Sequence, residues 1–410
     1  MNMNKQKTFF SPLVGMFLVA LCALFIRIAF IAFYHANPLA GGDPQAFWTF
    51  AEGVAAGQGF RSTFEPWLAD RPPLYSYFLA IIFLCGGKTQ LVVFVVQAVL
   101  ASMASAVFYL CANRLLGWRG GLFSGLLFAV YPAILMFTQQ ILAEAIYIPI
   151  WVFLLACLLF ANEQERRWLI PVAGLFLGLL ALVRREAILP GGLLAVLLLW
   201  LQNPTSLKKL IQQVTVVFLV TILVITPWLA RNAMVLGKPI LSSSGGVNFM
   251  VGNNPLADGG YTPPPTEWQD QFVSLGELER DQKARQLSLE WVRENPADFV
   301  KLLPQKFLKL WGLAHNRLLD MADIILLFLC LAGFGRLLQR RENWKQVFAI
   351  SIVPVLTTTL VGLAFVGLWR YRQISYPGLI LLAGYGMVQI LAWINASRSR
   401  RRGLTDAYSS

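Results

Sequence analysis

The chain has 410 residues, of which 57% are hydrophobic and 13% charged, with 34 Lys and Arg against 21 Asp and Glu. Soluble globular chains carry about 45–50% apolar and about 25% charged residues, so this composition excludes that class. The formal net charge of +13 would suggest nucleic acid in a soluble protein. In a membrane protein it is first a topology signal, and no nucleic-acid partner is expected.

A bilayer core requires about 20 apolar residues per helix, fewer where a bundle shields the helix. Ten segments meet this: 11–34, 90–112, 120–138, 142–161, 168–183, 187–201, 210–229, 321–338, 346–369 and 374–395. The first is too long for a signal-peptide core and lacks a small-x-small cleavage site, so it is expected as a retained span. The run 73–86 is apolar but short, which suits a re-entrant or interfacial helix on the outer surface. Cys22, Cys85, Cys111, Cys157 and Cys330 lie in or beside apolar runs without a CxxC pair, and are read as packing residues.

Placing the N-terminus inside sorts the charges. The inner segments, including Lys5, Lys7, Glu163 and Arg340/Arg341/Glu342, then hold sixteen basic and four acidic residues. The outer segments hold seventeen of each, and Arg27 lies within the first span. Counting 73–86 as a span would invert the next seven. The expectation is therefore an all-α, multi-pass protein of the plasma (inner) membrane with about ten transmembrane helices and both termini cytoplasmic.

Two outer regions are long enough to carry chemistry. The first, 35–89, contains GGDPQAFWTFAEGVAAGQGF (41–60) and DRPPLY (70–75). The second, 231–320, opens on a Gly/Asn/Pro-rich stretch expected to form an ordered irregular loop. It continues with an amphipathic helix near 276–294 and, after Asn295-Pro296, a juxtamembrane helix over 297–312. Trp67, Trp228, Trp311 and Trp369 fall near outer interfaces, where aromatic belts are expected without a catalytic role.

Asp43, before Pro44 and a helical pattern, reads either as a helix cap or as a general base at the membrane boundary. Glu144 is the only acid in the outer turn between the third and fourth segments, where solvation and function are both open. Arg71, Arg184, Arg185, Arg231, Arg370 and Arg372 sit at outer helix ends. Each alone is explained by snorkelling, but six on the side that disfavours cations could hold a lipid phosphate or pyrophosphate. Arg27 needs a partner or polar cavity, which suggests that its span lines the site. The chain has no GxxxxGK[ST], GxSxG or HExxH motif and only His35 and His315 as histidines. ATP-driven transport, serine hydrolysis and a His-rich metal centre are therefore unsupported.

The order of these features resembles the glycosyltransferase-C membrane enzymes of the protein O-mannosyltransferase and aminoarabinose-transferase type. The resemblance rests on Arg27, the acidic first-loop motif with Ala51, Ala55, Gly57 and Gly59, and Arg71-Pro72-Pro73-Leu74-Tyr75. It extends through Glu144, TPWLARN (226–232), GGVNFMVGNNP, ENPADFV and WRYR (369–372). Where the family has an Asp-Glu pair, this chain has Asp43-Pro44, and Arg71 replaces a lysine before Pro-Pro. The resemblance implies a mannosyltransferase-like hexosyl- or pentosyltransferase using a polyprenyl-phosphate sugar donor on the extracytoplasmic face, with inversion. Asp43 would be the catalytic base and Glu144 a second acidic site residue that helps to orient the acceptor or the base, while Arg71, Arg370, Arg372 and Arg231 would bind the donor phosphate. Arg27, Glu52, Tyr75, Arg184 and Tyr371 would line the site. The acceptor would be a lipid, protein or glycan beside the bilayer. No cofactor is assigned, and no ligand motif supports a divalent metal. The domains expected are a seven-helix module over 1–230 with its catalytic first loop, the outer loop 231–320, and a three-helix module with a basic tail over 321–410. A lipid-linked sugar flippase or other transporter, and a lipid-linked oligosaccharide ligase or polymerase, are the alternative functions.

Overall fold

The structure, a computed structural model, describes residues 11–34, 39, 42–62, 67–161, 165–312, 317–339 and 343–408. Lys5, Lys7, His35, Glu163, His315, Arg340, Arg341 and Glu342 lie outside the described residues. The fold is all helical, and no strand occurs among the described residues. Helix α1 is Pro12–Phe33, started by Pro12 and by Ser11, whose hydroxyl accepts the Val14 N–H at 3.3 Å. Two short helices, α2 (Gly42–Ala55) and α3 (Leu74–Gly86), follow and pack on each other through Phe47 against Tyr75 and Trp48 against Phe83.

The next element, α4 (Gln90–Val130), is a hairpin. Gly117 adopts φ 79°, ψ 175°, a conformation that side-chain-bearing residues rarely take. The arms 90–116 and 118–130 fold back so that Phe108 lies 4.8 Å from Phe128, ring centre to ring centre. The remaining helices are α5 (Pro132–Met136), α6 (Glu144–Phe160), α7 (Leu169–Val183), α8 (Ile188–Gln202), α9 (Leu207–Leu236), α10 (Gly245–Met250) and α11 (Thr266–Gln269). They are followed by α12 (Glu277–Glu294), α13 (Pro296–Trp311), α14 (Arg317–Gln339), α15 (Trp344–Ala364) and α16 (Ser375–Tyr408). A 3-10 turn, Trp369–Ile374, links α15 to α16.

Among the described residues, six helices are long and apolar enough to cross a membrane, counting both arms of α4 together. Leu74–Gly86, Glu144–Phe160 and Leu169–Val183 are shorter apolar helices. Helix α1 packs on α4, α7 on α9, and α14 on α16. A continuous apolar core runs from α2 and α3 through α6 and α8 to α16.

The two outer regions are tied to each other. Glu277, at the start of α12, accepts from the backbone N–H of Leu68 at 2.7 Å and Ala69 at 2.8 Å, and from the Ser243 hydroxyl. Asp281, one turn later, accepts from Gly246 N at 2.5 Å and Val247 N at 3.1 Å at the head of α10. Beneath them lies a dense polar knot. The Asn253 amide donates to the carbonyls of Phe249 and Ala364, and its oxygen accepts from Lys306 Nζ at 2.7 Å. Lys306 is fully buried and also donates to Leu363 O at 3.1 Å. The expected ordered loop is therefore ordered by asparagines that satisfy buried backbone groups.

The tryptophans differ from the aromatic belt expected of them. Trp228 is 5% exposed and donates to Leu241 O, Trp311 donates to Thr359 Oγ1 at 2.9 Å, and Trp369 packs against the main core. Packing within the outer regions claims these rings before the headgroup layer can. Cys22 and Cys85 are exposed rather than packed, whereas Cys111, Cys157 and Cys330 are buried.

Two predictions follow from the knot. A Cβ at Gly252 would lie 1.9 Å from the Phe365 carbonyl oxygen, a backbone atom that cannot swing aside. Gly252→Ala is expected to destabilise the detergent-solubilised protein by about 1–3 kcal/mol, and an unchanged unfolding midpoint would refute the close packing. Burial lowers Lys306 from its ordinary 10.5 to about 8. Between those values the unfolded chain binds the extra proton, so stability should rise from pH 8 to 10.5 and be flat below 8 for this group. Lys306→Gln should abolish that rise in pH-dependent melting curves.

Candidate active site

The site forms where α2, the turn between α7 and α8, α10, α12 and the Trp369–Ile374 turn meet. They surround an open cavity of about 1340 Å³ whose lining includes Asp43, Arg71, Arg184, Arg185, Arg370 and Tyr371. Asp43 is in the first turn of α2, so it is not the residue preceding the helix that a cap would be. Its carboxylate pairs instead with Arg370 Nη2 at 2.5 Å and Arg71 Nη1 at 3.5 Å. Arg71 is in turn paired with Asp70 at 2.8 Å and stacks 4.8 Å over the Phe47 ring. Burial raises the Asp43 carboxyl, but the guanidiniums of Arg370 and Arg71 outweigh it and hold the group below the usual carboxylate range.

Arg184 forms a second centre. It pairs with Glu144 at 2.5 Å and Glu186 at 3.1 Å, and its guanidinium lies 5.2 Å from the Tyr371 ring centre and 5.8 Å from that of Tyr147. Glu144 is 1% exposed and lies behind Arg184, outside the cavity lining. Its geometry holds Arg184 in place and gives it no surface towards a ligand. Arg185 also lines the cavity, and among the described residues it makes no ion pair.

Several residues expected at the site lie elsewhere. Arg372 is committed to Asp323, to the Tyr376 hydroxyl at 3.0 Å and to Trp311 O at 3.3 Å, where it joins α13, α14 and α16. Arg231 donates to Leu68 O at 2.7 Å and Phe60 O at 2.8 Å, clamping the first outer region onto α9. Arg27 is fully buried in α1, bonded to Ala23 O, and does not line the cavity. Tyr75 is buried and donates to Gln97 at 2.7 Å, while Glu52 binds Trp48 and Lys88. Sequence reasoning missed Asn248, Tyr261 and Arg280 on the cavity wall, and placed Trp67 at an interface when it also lines the cavity. Tyr261 lies in the irregular loop, where no periodicity gives its facing, and Arg280 lies on the charged helix α12, where the pattern gives the helix but not which of its charges meets the cavity. Among the described residues no three His, Cys, Asp or Glu side chains gather as a metal site.

A second cavity of about 730 Å³ adjoins the first and shares Arg184, Arg185, Glu186, Asn248, Arg370 and Tyr371 with it. Away from those residues its wall is largely apolar, with Pro190 of α8 facing Val361, Phe365, Val366 and Ile374. Arg185 and Arg370 therefore stand at the junction of a polar and an apolar space.

Residues 70–230 match the family described as dolichyl-phosphate-mannose-protein mannosyltransferase. That segment includes Arg71, Glu144, Arg184 and Arg185 but neither Asp43 nor Arg370. The archaeal oligosaccharyltransferase AglB from Archaeoglobus fulgidus, in complex with an inhibitory peptide and a dolichol-phosphate, superposes with TM-score 0.55 at 14% identity, over 96% of this chain and 52% of that one. The Archaeoglobus fulgidus oligosaccharyltransferase tethered with an acceptor peptide gives TM-score 0.59 at 14% identity, over 95% and 50%. ArnT from Cupriavidus metallidurans bound to undecaprenyl phosphate overlaps more loosely, with TM-score 0.47 at 14% identity, over 92% and 77%. No curated protein matches the chain in sequence. The chain spans about half the length of the oligosaccharyltransferases it matches. The chain thus shares its fold with these oligosaccharyltransferases, and its segment 70–230 matches the mannosyltransferase family.

The Glu144–Arg184 pair supplies a prediction. Removing one partner of a buried pair leaves an uncompensated charge, so Arg184→Met should destabilise the protein by about 3–5 kcal/mol. The double variant Arg184→Met/Glu144→Gln should recover much of that loss in thermal unfolding. Additive losses would show that the two side chains are not coupled.

Proposed function

We propose that the protein is a membrane glycosyltransferase that moves a sugar from a polyprenyl-phosphate donor to an acceptor hydroxyl or amine on the extracytoplasmic face, with inversion. The observation that carries the reading is the junction of the two cavities: a carboxylate and several guanidiniums on the polar side, an apolar groove on the other. In this reading the prenyl chain occupies the groove beside α8 and α15, and the phosphate meets Arg370 and Arg185 at its mouth. The sugar lies in the polar cavity with its anomeric carbon facing Asp43.

The acceptor oxygen or nitrogen then bonds to the anomeric carbon as its proton passes to Asp43. The bond from that carbon to the phosphate oxygen breaks, and polyprenyl phosphate leaves with the electron pair. Negative charge grows on the leaving phosphate, where guanidiniums fixed in place cost no reorganisation. The Asp43–Arg370 pair adds an order to these events. While Arg370 holds Asp43, the carboxylate is a poor base. A donor phosphate competes for Arg370, and Asp43 becomes more basic once it is partly released. The base is thereby activated by the donor it serves.

Asp43→Asn should reduce transfer by roughly 10²–10⁴-fold while the protein still inserts in membranes. Arg185→Gln should lower kcat by roughly 10²–10³-fold, the loss of one preorganised contact to the developing charge. The assay is transfer of labelled sugar from a synthetic polyprenyl-phosphate sugar by the reconstituted protein. Full activity in Asp43→Asn would remove the base assignment.

A further inference from the structure

A third groove, of about 1300 Å³, leaves the polar cavity on the side of the outer loops. It shares Trp67, Val247, Tyr261, Glu277 and Arg280 with that cavity. None of the apolar groove's lining residues belongs to it. The reaction cavity therefore has two exits of different character. Beyond the shared residues the third groove is walled by Phe272 and by Pro263 and Pro264, with Gln269 contributing an amide.

Three features indicate what it would hold. Tyr261 is 62% exposed at the junction, an aromatic face with no protein covering much of it. Arg280 stacks 4.8 Å over Trp67, its Nε is buried without a hydrogen-bond partner, and among the described residues it makes no ion pair. Glu277, the one carboxylate in this groove, is occupied by Leu68 N, Ala69 N and Ser243. The groove thus offers aromatic faces and a guanidinium without an ion-pair partner among the described residues, while its carboxylate, Glu277, is held by three local hydrogen bonds. Flat rings suit the C–H faces of pyranose sugars, and an unpaired guanidinium suits phosphate or carboxylate.

We infer that this groove is the acceptor subsite and that it takes an acidic saccharide, with a sugar ring against Tyr261 and an anionic substituent on Arg280. The inference rests on the proposed transfer reaction for its role, but its binding can be read without turnover. Both a phosphorylated glycan and a uronic-acid glycan present the required charge.

The test is a glycan array bearing neutral oligosaccharides and the same scaffolds with phosphate or carboxylate, probed with the purified full-length protein in detergent. The protein should retain the acidic glycans. Arg280→Gln should weaken that retention by about 10–100-fold, the loss of a charge-assisted contact, and Arg280→Lys should keep the acidic preference. Tyr261→Ala should weaken acidic and neutral binding alike by about tenfold, and because this ring is largely exposed its melting temperature should be unchanged. Acidic-glycan binding by an unsubstituted protein that transfers no sugar from a polyprenyl-phosphate donor would sink the proposed reaction and leave the groove standing. Absence of acidic-glycan binding, undiminished acidic-glycan binding by both groove variants, or sugar transfer to peptides alone would overturn the inference.

Discussion

The ion pair between Asp43 and Arg370 joins residues 327 positions apart. It fastens the start of α2, in the first outer region, to the turn before the last helix. Neither partner is exposed beyond 37%, so the pair is screened less than a surface bridge. Several other contacts at the outer end of the bundle place one partner or the other. Arg231 and Glu277 hold Phe60, Leu68 and Ala69 ahead of Arg71, and Arg71 meets the Asp43 carboxylate oxygen that Arg370 does not.

Arg370 is held from behind by two further arrangements. Upstream of it, Asn253 and Lys306 seize the carbonyls that end α15, and Gly367 N donates to Gly259 O at 2.9 Å. Downstream, Arg372 anchors the same turn to Asp323 and Tyr376. A turn of six residues is thus bound on both flanks by buried polar contacts. Such contacts are costly when half satisfied, and here they leave Arg370 little freedom except at its tip.

The sequence made the helices legible wherever one physical signal dominated. Asn295-Pro296 marks the break between α12 and α13, and the charged amphipathic pattern gives α12 almost to the residue. The apolar runs locate both arms of α4, and the basic pair Arg114/Arg119 brackets the turn that Gly117 makes. Side-chain destinations were less legible. Arg370 and Arg372 stand two residues apart in a 3-10 turn, yet one faces the cavity and the other the core. Nothing local separates them. The difference is made by Asp323, 49 positions away, which supplies Arg372 with a buried partner. Arg231 likewise resembles a phosphate ligand until backbone carbonyls from 163 and 171 positions away fill its donors. Charge type and membrane level are local properties, whereas pairing is a tertiary one.

Electrostatic balance explains why the two unpaired guanidiniums matter more than the number of arginines. The cavity wall carries five arginines, Arg71, Arg184, Arg185, Arg280 and Arg370, against the acids Asp43, Asp70, Glu186 and Glu277. Glu144, bonded to Arg184 from behind, brings the set to neutrality. A neutral cavity has no general field with which to attract an anion, so recognition must come from where the charge is uncommitted. Arg185 is uncommitted at the mouth of the apolar groove and Arg280 at the mouth of the aromatic one. In the proposed reaction these are the entries of donor and acceptor. In that reaction Arg71 and Arg370 hold Asp43 between them, and Arg370 exchanges partners once the donor phosphate has arrived.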